Sequence, residues 1–124
     1  MTLFSQKSIC TLAAAICAAL CLTLMFIPGL IFWLFQMAHD VGGVLISRRA
    51  AMLFAGLSIL AWLARDLAPS EGTRAIFISF AVAMGGLALL GVYEYIQGNV
   101  GIGIALAIAA EAFFVGAFLR LARS

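Results

Sequence analysis

The chain has 124 residues, of which 66% are hydrophobic and only 10% are charged, and its formal net charge is +2. A spanning helix needs about 20 apolar residues, so this length holds about four spans with short loops and leaves no room for a soluble domain. The seven basic and five acidic residues form no basic stripe or run, which excludes a nucleic-acid-binding protein. We therefore predict an all-α integral membrane protein, an antiparallel four-helix bundle that forms a single transmembrane domain over residues 1–124.

The first predicted span covers about residues 8–27. Its apolar run is longer than the roughly 7–15 apolar residues of a signal peptide, so we expect this segment to be retained. Cys10, Cys17 and Cys21 all lie in the run, and their spacing places them on one helical face. Because no histidine or acidic residue lies near them in this segment, we predict that they are small packing residues.

A short apolar stretch follows the first span. Pro28 predicts a break, because proline removes a helical hydrogen bond and clashes with the preceding turn. Residues 30–37 are too few to cross a bilayer, and we predict that they lie in the membrane interface with Trp33 at the level of the lipid head groups. His39 and Asp40 close this connection, and two such residues fall short of the roughly four ligands of a metal site. We predict no metal site and no catalytic residue.

Three more spans are predicted at about residues 45–64, 74–95 and 100–119. Ser70 or Thr73 is expected to cap the third of the four spans, and Asn99 the fourth, because such side chains accept hydrogen bonds from unpaired backbone N–H groups. Tyr93 and Tyr95 near the end of the third span are expected to anchor it at the membrane interface, as Trp33 does for the short segment.

Small residues recur at helical spacing in the last two spans. Two such stripes are present, one made of Ala81, Gly85 and Ala88 and the other of Ala105, Ala109, Ala112 and Gly116. Small residues three or four positions apart let membrane helices approach closely. We expect both stripes to pack inside a compact bundle.

The basic residues predict the orientation of the chain. With four spans, the N-terminus, the loop between the second and third spans and the C-terminus lie on one side of the membrane. That side carries Lys7, Arg65, Arg74, Arg120 and Arg123, whereas the other side carries only Arg48 and Arg49. The positive-inside rule therefore places both termini in the cytoplasm.

Glu111 is the only charged residue between Val100 and Leu119, and it lies near the predicted midplane. A charged carboxylate is costly at that depth, and no basic side chain is expected at the same level. Two interpretations stay open. A neutral carboxyl could hydrogen-bond to Ser58 or to a backbone carbonyl and hold helices together, or Glu111 could carry a proton or clamp a polar ligand. The first interpretation is favoured.

A second group of charged residues lies nearer the non-cytoplasmic side. Arg48 and Arg49 begin the second span, and Glu94 ends the third, so the three are predicted at similar heights. The favoured interpretation is a salt bridge across the mouth of the bundle. The alternative is a small polar cavity beneath residues 30–37, where an arginine binds an anionic head group or a quinone oxygen.

The order of these features resembles that of the small bacterial four-span proteins of the DoxX-like superfamily. The resemblance rests on an apolar first span that ends in Pro28, on the arginine-bearing segment Ile46–Ala51 and on the polar span end Gly91–Gly98. It implies a four-span architecture in the bacterial inner membrane. The superfamily takes its name from a subunit of a quinone-linked oxidoreductase, but no residue of that activity is carried over to this chain.

Three functions are compatible with these residues. The leading one is a non-enzymatic protein that binds a lipophilic ligand or acts as an accessory subunit of a membrane complex. The second is a small proton-coupled transporter, expected to be dimeric, with Glu111 as the titrating carboxyl. Small multidrug exporters have a similar size but carry their essential glutamate in the first span, where this chain has no acidic residue. The third is a quinone-interacting oxidoreductase subunit that uses Arg48, Arg49 and Glu94. No cofactor is predicted, and the alternative is that the protein binds a quinone or another lipophilic ligand. The expected partners are the lipid bilayer and either a second copy of the chain or other membrane subunits.

Overall fold

A computed structural model of the chain describes residues 5–38 and 40–123, and it is all-α over these residues. The helices are α1 (Gln6–Phe26), α2 (Pro28–Leu34), α3 (Val41–Ala64), α4 (Glu71–Ile96) and α5 (Ile104–Arg123). Four of them, α1, α3, α4 and α5, are long and apolar enough to cross a membrane, with mean hydropathies from 2.4 down to 1.6. The predicted fold class of a four-helix membrane bundle with a short additional segment is confirmed.

Side-chain caps set where three of the long helices begin. The hydroxyl of Ser5 accepts a hydrogen bond from the backbone N–H of Ser8 at the start of α1. The carboxylate of Asp40 accepts one from Gly43 at 2.6 Å, so α3 begins before residue 45, where the span was predicted to start. Ser70 rather than Thr73 caps α4. Each cap satisfies a backbone N–H that has no partner inside its helix.

The prediction that Asn99 caps the last helix is wrong, because α5 begins only at Ile104. The intervening residues form turns, and the backbone N–H of Gly101 donates a 2.7 Å hydrogen bond to the carbonyl oxygen of Phe35 just after α2. This contact holds the segment out of the helix. The predicted interfacial stretch at residues 30–37 corresponds to α2, which begins at Pro28, a residue whose fixed φ suits the first turn of a helix.

The long helices pack as two antiparallel pairs, α1 with α3 and α4 with α5. At one end, which we call the closed end, α1 and α4 begin and α3 and α5 end. There Gln6 donates from Nε2 to the carbonyl oxygens of Ala64 and Leu67 at the end of α3, at 3.0 and 2.9 Å. Arg74 at the start of α4 likewise donates from Nε to the carbonyl oxygen of Ala122 in α5, at 3.2 Å. The opposite end is called the open end.

Small residues of α4 receive large residues of α5. A Cβ added at Gly91 would lie 3.0 Å from a side-chain carbon of Ile108, and one added at Gly85 would lie 3.6 Å from Val115. The stripe of Ala81, Gly85 and Ala88 therefore packs inside the chain, as predicted. The stripe predicted in the last span does not, because its members Ala105, Ala109, Ala112 and Gly116 are all exposed. The face of α5 that meets the small residues of α4 instead carries branched residues such as Ile108 and Val115.

The buried core lies toward the closed end and joins the two pairs. Its members are Ile9, Cys10, Ala13, Ala14, Ala61, Ala64, Phe77, Phe80, Ala81, Met84, Phe114, Phe118 and Ala122. Phe80 stacks on Phe118 with ring centroids 4.8 Å apart. Phe77 and Phe114 also contact the ring of Phe118. Toward the open end no comparable set of buried aromatic residues joins the pairs among the residues described here, and the two pairs are separated by a cavity.

Candidate ligand cavity

A cavity of about 610 Å³ lies between the two helix pairs, on the side of the aromatic core that faces the open end. The open end is taken as the upper end. Its floor is formed by Phe80, Phe114 and Phe118, and α2 lies along its upper part through Ile31 and Leu34. A volume of this size is within the range of about 300–1,000 Å³ that holds drug-sized ligands. The lining is almost entirely apolar.

The cavity exists because small side chains face it from opposite sides. On α1 these are Ala13 and Cys17, and on α5 they are Ala107 and Ala110. Among the described residues, the aromatic side chains that join the two pairs lie near the closed end, and the pairs remain separated toward the open end.

The cavity is open to the exterior rather than sealed. Leu90 of α4 and Leu106 of α5 belong to its lining, yet they keep exposed fractions of 59% and 67%. Both residues lie on helices that are long and apolar enough to cross a membrane. The cavity is therefore open at the outer surface of α4 and α5.

Glu111 is the most deeply placed polar side chain of the lining. It lies on α5, one turn from Phe114 of the floor. Its Oε2 atom is buried and, within residues 5–38 and 40–123, accepts no hydrogen bond. Buried polar atoms are nearly always paired in folded proteins, so an unpaired one at a cavity wall marks a position where a ligand or a water can bind.

The structure does not pair Glu111 with Ser58, the hydroxyl partner expected from depth alone. The Ser58 hydroxyl instead donates to the carbonyl oxygen of Ala14, at 2.7 Å. This bond ties α3 to α1 within one helix pair. The hydrogen bond predicted between Glu111 and Ser58 is therefore not formed.

Glu94 lines the same cavity nearer its mouth. Its carboxylate accepts a 2.6 Å hydrogen bond from Nδ2 of Asn99, another lining residue, in the turn between α4 and α5. Gly91 of α4 and Ile108 of α5 lie at the same level. Glu94 lies one turn from this level toward the open end, and Glu111 lies one turn from it toward the closed end. At about 1.5 Å rise per residue, the backbone positions of the two glutamates differ in height by about 9 Å.

Arg48 and Arg49 do not line this cavity. Both are exposed on α3, which packs mainly against α1 and not against α4. The predicted salt bridge to Glu94 is not formed, whereas Arg65 forms an ion pair with Asp66, at 3.5 Å. The prediction failed because equal depth was taken as proximity, whereas the pairing of helices puts the arginines and Glu94 on different pairs.

The remaining predicted residues are placed as follows. Cys10 and Cys17 are buried among small neighbours and Cys21 is half-buried, all with free thiols, which fits packing roles. His39 lies outside the described residues. Over the part of the chain that the structure describes, no group of three or more metal-ligating side chains comes together.

The predicted interface anchors are all on the outer surface. Trp33 is 74% exposed on α2, and Tyr93 and Tyr95 are 55% and 46% exposed near the end of α4. All three lie at the open end. A further aromatic residue that sequence reasoning did not single out is Trp62 at the closed end, over which the Arg65 guanidinium lies 3.7 Å from the ring centroid.

Gly101 and Gly103 were also overlooked as determinants of the cavity. The sequence shows them as Gly101-Ile102-Gly103, which lacks the strand context of a phosphate-binding loop. In the structure a Cβ at Gly103 would collide with the carbonyl oxygen of Leu34, and one at Gly101 would collide with the side chain of Gln36. The two glycines let the turn before α5 lie against the end of α2, which contributes Ile31 and Leu34 to the cavity lining.

Comparisons with models of protein families, with curated proteins and with solved structures gave no significant match to this chain. The DoxX-like resemblance therefore stays a prediction from short sequence segments, and the function has to be argued from the cavity.

Proposed function

We propose that this small multi-pass protein of the bacterial inner membrane binds a lipophilic molecule in the cavity between its two helix pairs, without catalysing a reaction. The observation that carries the proposal is the combination of an open, apolar space of about 610 Å³ and the unpaired, buried Oε2 of Glu111 on its wall. The apolar lining favours a ligand from the bilayer, and the carboxyl group favours one with a hydrogen-bonding head.

The positions of the basic residues support an orientation with both termini in the cytoplasm. Four of the five basic residues assigned to the cytoplasmic side, Lys7, Arg65, Arg74 and Arg123, lie at the closed end of the bundle or directly beside it. The cavity mouth and α2 then lie toward the periplasmic side. A lipophilic ligand would enter from the membrane or from that face.

Occupancy of the cavity can be tested with a photoreactive alkanol. A ten-carbon alcohol with a diazirine on its chain is added to the protein in nanodiscs of zwitterionic lipid, and the labelled peptides are mapped by mass spectrometry. We expect saturable labelling of the cavity-lining peptides of α1 and α5, with competition by decanol. Labelling that never saturates would overturn the proposal.

Two alanines of α5 provide a matched pair for the same experiment. Ala110 lines the cavity, whereas its neighbour Ala109 is exposed and does not. Ala110→Phe fills the space and should reduce saturable labelling by about tenfold or more, while Ala109→Phe should leave it within about twofold, because only the first loses its site. Equal effects of the two substitutions would contradict a ligand site in this cavity.

A second candidate function, proton-coupled transport with Glu111 as the titrating group, is favoured by one observation. The buried Oε2 of Glu111 accepts no hydrogen bond from the described residues, and the carboxyl group lies at a cavity open to the exterior. Ionisable residues inside spanning segments frequently belong to proton or substrate pathways. In proteoliposomes with an imposed pH gradient, Glu111→Gln should then abolish flux of the bound ligand, and unchanged flux would remove this candidate.

A further inference from the structure

The charge of the cavity lining is of one sign. Among its described members, the side chains that can carry a charge at neutral pH are Glu94 on α4 and Glu111 on α5. The contribution of α1 includes the thiol of Cys17, and those of α2 and α3 are apolar, including Ile31 and Phe54. No lysine or arginine is found among the lining residues within 5–38 and 40–123.

We propose that the ligand is an amphiphilic cation, an alkylamine or a similar molecule whose ammonium group binds the Glu111 carboxylate while its apolar part fills the rest of the cavity. This inference rests on the proposed function, because it names the class of ligand for the same site. An ammonium group offers up to about three hydrogen-bond donors to a carboxylate, whereas an alcohol offers one. A hydrogen bond between two charged groups is roughly twice as strong as a neutral one.

The placement of the two acidic residues fits such a ligand. Glu94 lies at the mouth, where its carboxylate is half-buried and already bonded to Asn99. Glu111 lies about 9 Å deeper, given about 1.5 Å rise per residue, and its Oε2 has no partner among the described residues. A cation is thus attracted at the mouth by one carboxylate and held inside by the other, where surrounding apolar side chains strengthen the electrostatic attraction.

The apolar surroundings also select against other head groups. An anion in this cavity would face two carboxyl groups and no basic side chain among the described lining residues, so it would lose its hydration without compensation. An uncharged head loses less hydration but gains only a neutral hydrogen bond. The expected order of affinity is therefore amine, then alcohol, then carboxylate, for chains of equal length.

The test compares three ligands that differ only in the head group. Decylamine, decanol and decanoate each compete with the photoreactive alkanol for the protein in zwitterionic nanodiscs, and the half-maximal concentration is measured relative to the lipid. We expect decylamine to compete at a concentration about tenfold lower than decanol, and decanoate to compete least. If decanol or decanoate competes as well as decylamine, the cation proposal is overturned while the ligand cavity stands. If none of the three competes, the proposed function fails as well.

Matched substitutions of two glutamates test whether the carboxyl group of Glu111 causes the preference for an amine over an alcohol. Glu111→Gln keeps the shape of the side chain and removes the charge, and it should lower the ratio of amine to alcohol affinity from about ten to about one. Glu71→Gln makes the same change at an exposed position near the start of α4, away from this cavity, and should keep the ratio. Circular dichroism of each variant checks the helical fold. A ratio that survives in Glu111→Gln would show that this carboxyl group does not recognise the cation.

Discussion

Gly103 lies so close to the carbonyl oxygen of Leu34 that a Cβ at this position would collide with it. The two residues are distant in the sequence, and their contact joins the turn before α5 to the end of α2. The neighbouring hydrogen bond from Gly101 to Phe35 strengthens the same junction. The wall of the cavity at the open end therefore depends on a residue without a side chain.

The first prediction concerns this contact. Gly103→Ala should lower stability by about 1–3 kcal/mol, because the added methyl group forces the turn away from α2, as overpacking does elsewhere. Thermal unfolding in mild detergent, followed by circular dichroism, measures the change. The control is Gly86→Ala, where a Cβ meets nothing within 4 Å and the substitution should stabilise the helix by up to about 1 kcal/mol. Equal responses of the two glycines would contradict the role of Gly103.

The second prediction concerns the bond between Ser58 and Ala14. Ser58→Ala should destabilise the protein by about 0.6 kcal/mol, the average for hydrogen bonds between membrane helices. The comparison is Ser79→Ala, because Ser79 donates to Ala75 within its own helix and links no two helices. Unfolding in detergent should show the larger loss for Ser58→Ala. A loss confined to Ser79→Ala would argue against an interhelical bond at Ser58.

The third prediction separates a structural role of Glu111 from a ligand-binding role. If this carboxyl group held helices together, Glu111→Gln would lower the thermal stability of the ligand-free protein. Since Oε2 has no partner among the described residues, we expect Glu111→Gln to unfold at the wild-type temperature or slightly above it, and Glu111→Leu above it. The measurement is the Tm of delipidated protein in detergent. A clear drop in Tm for both variants would restore the structural interpretation.

The fourth prediction concerns orientation. Lys7, Arg65, Arg74, Arg120 and Arg123 favour a cytoplasmic closed end. A green fluorescent protein fused after the last residue should therefore fluoresce, and alkaline phosphatase fused at the same place should be inactive. Replacing Arg120 and Arg123 by glutamine should weaken this preference, whereas replacing Arg48 and Arg49 should strengthen it. Active phosphatase on the unmodified chain would reverse the topology and move the cavity mouth to the cytoplasmic side.

Height along each helix can be estimated from the sequence, but position around the helix cannot. Rise per residue converts sequence position directly into height along a helix, which placed Glu111 and Ser58 at similar levels. Their partners were predicted less well. Ser58 bonds to Ala14 because α3 pairs with α1, whereas Glu94 bonds to Asn99 in the turn directly after α4. Residues at equal depth on different pairs, such as Arg49 and Glu94, do not meet.

The sequence by itself determined that the chain has four spanning helices and an isolated carboxyl group in the last of them. Transfer of a segment into lipid depends on its length and apolar content, and both can be counted residue by residue. Only the tertiary structure decided which faces pack, because lipid tails are as apolar as leucine and give membrane helices no hydrophobic reason to turn one face inward. Which face of a helix packs against its neighbours depends instead on the shapes of the side chains. The glycines of α4 pack against branched residues of α5, and Gly103 lets the end of α2 approach closely. The same shapes leave a cavity beside Glu111, which no count of apolar residues could reveal.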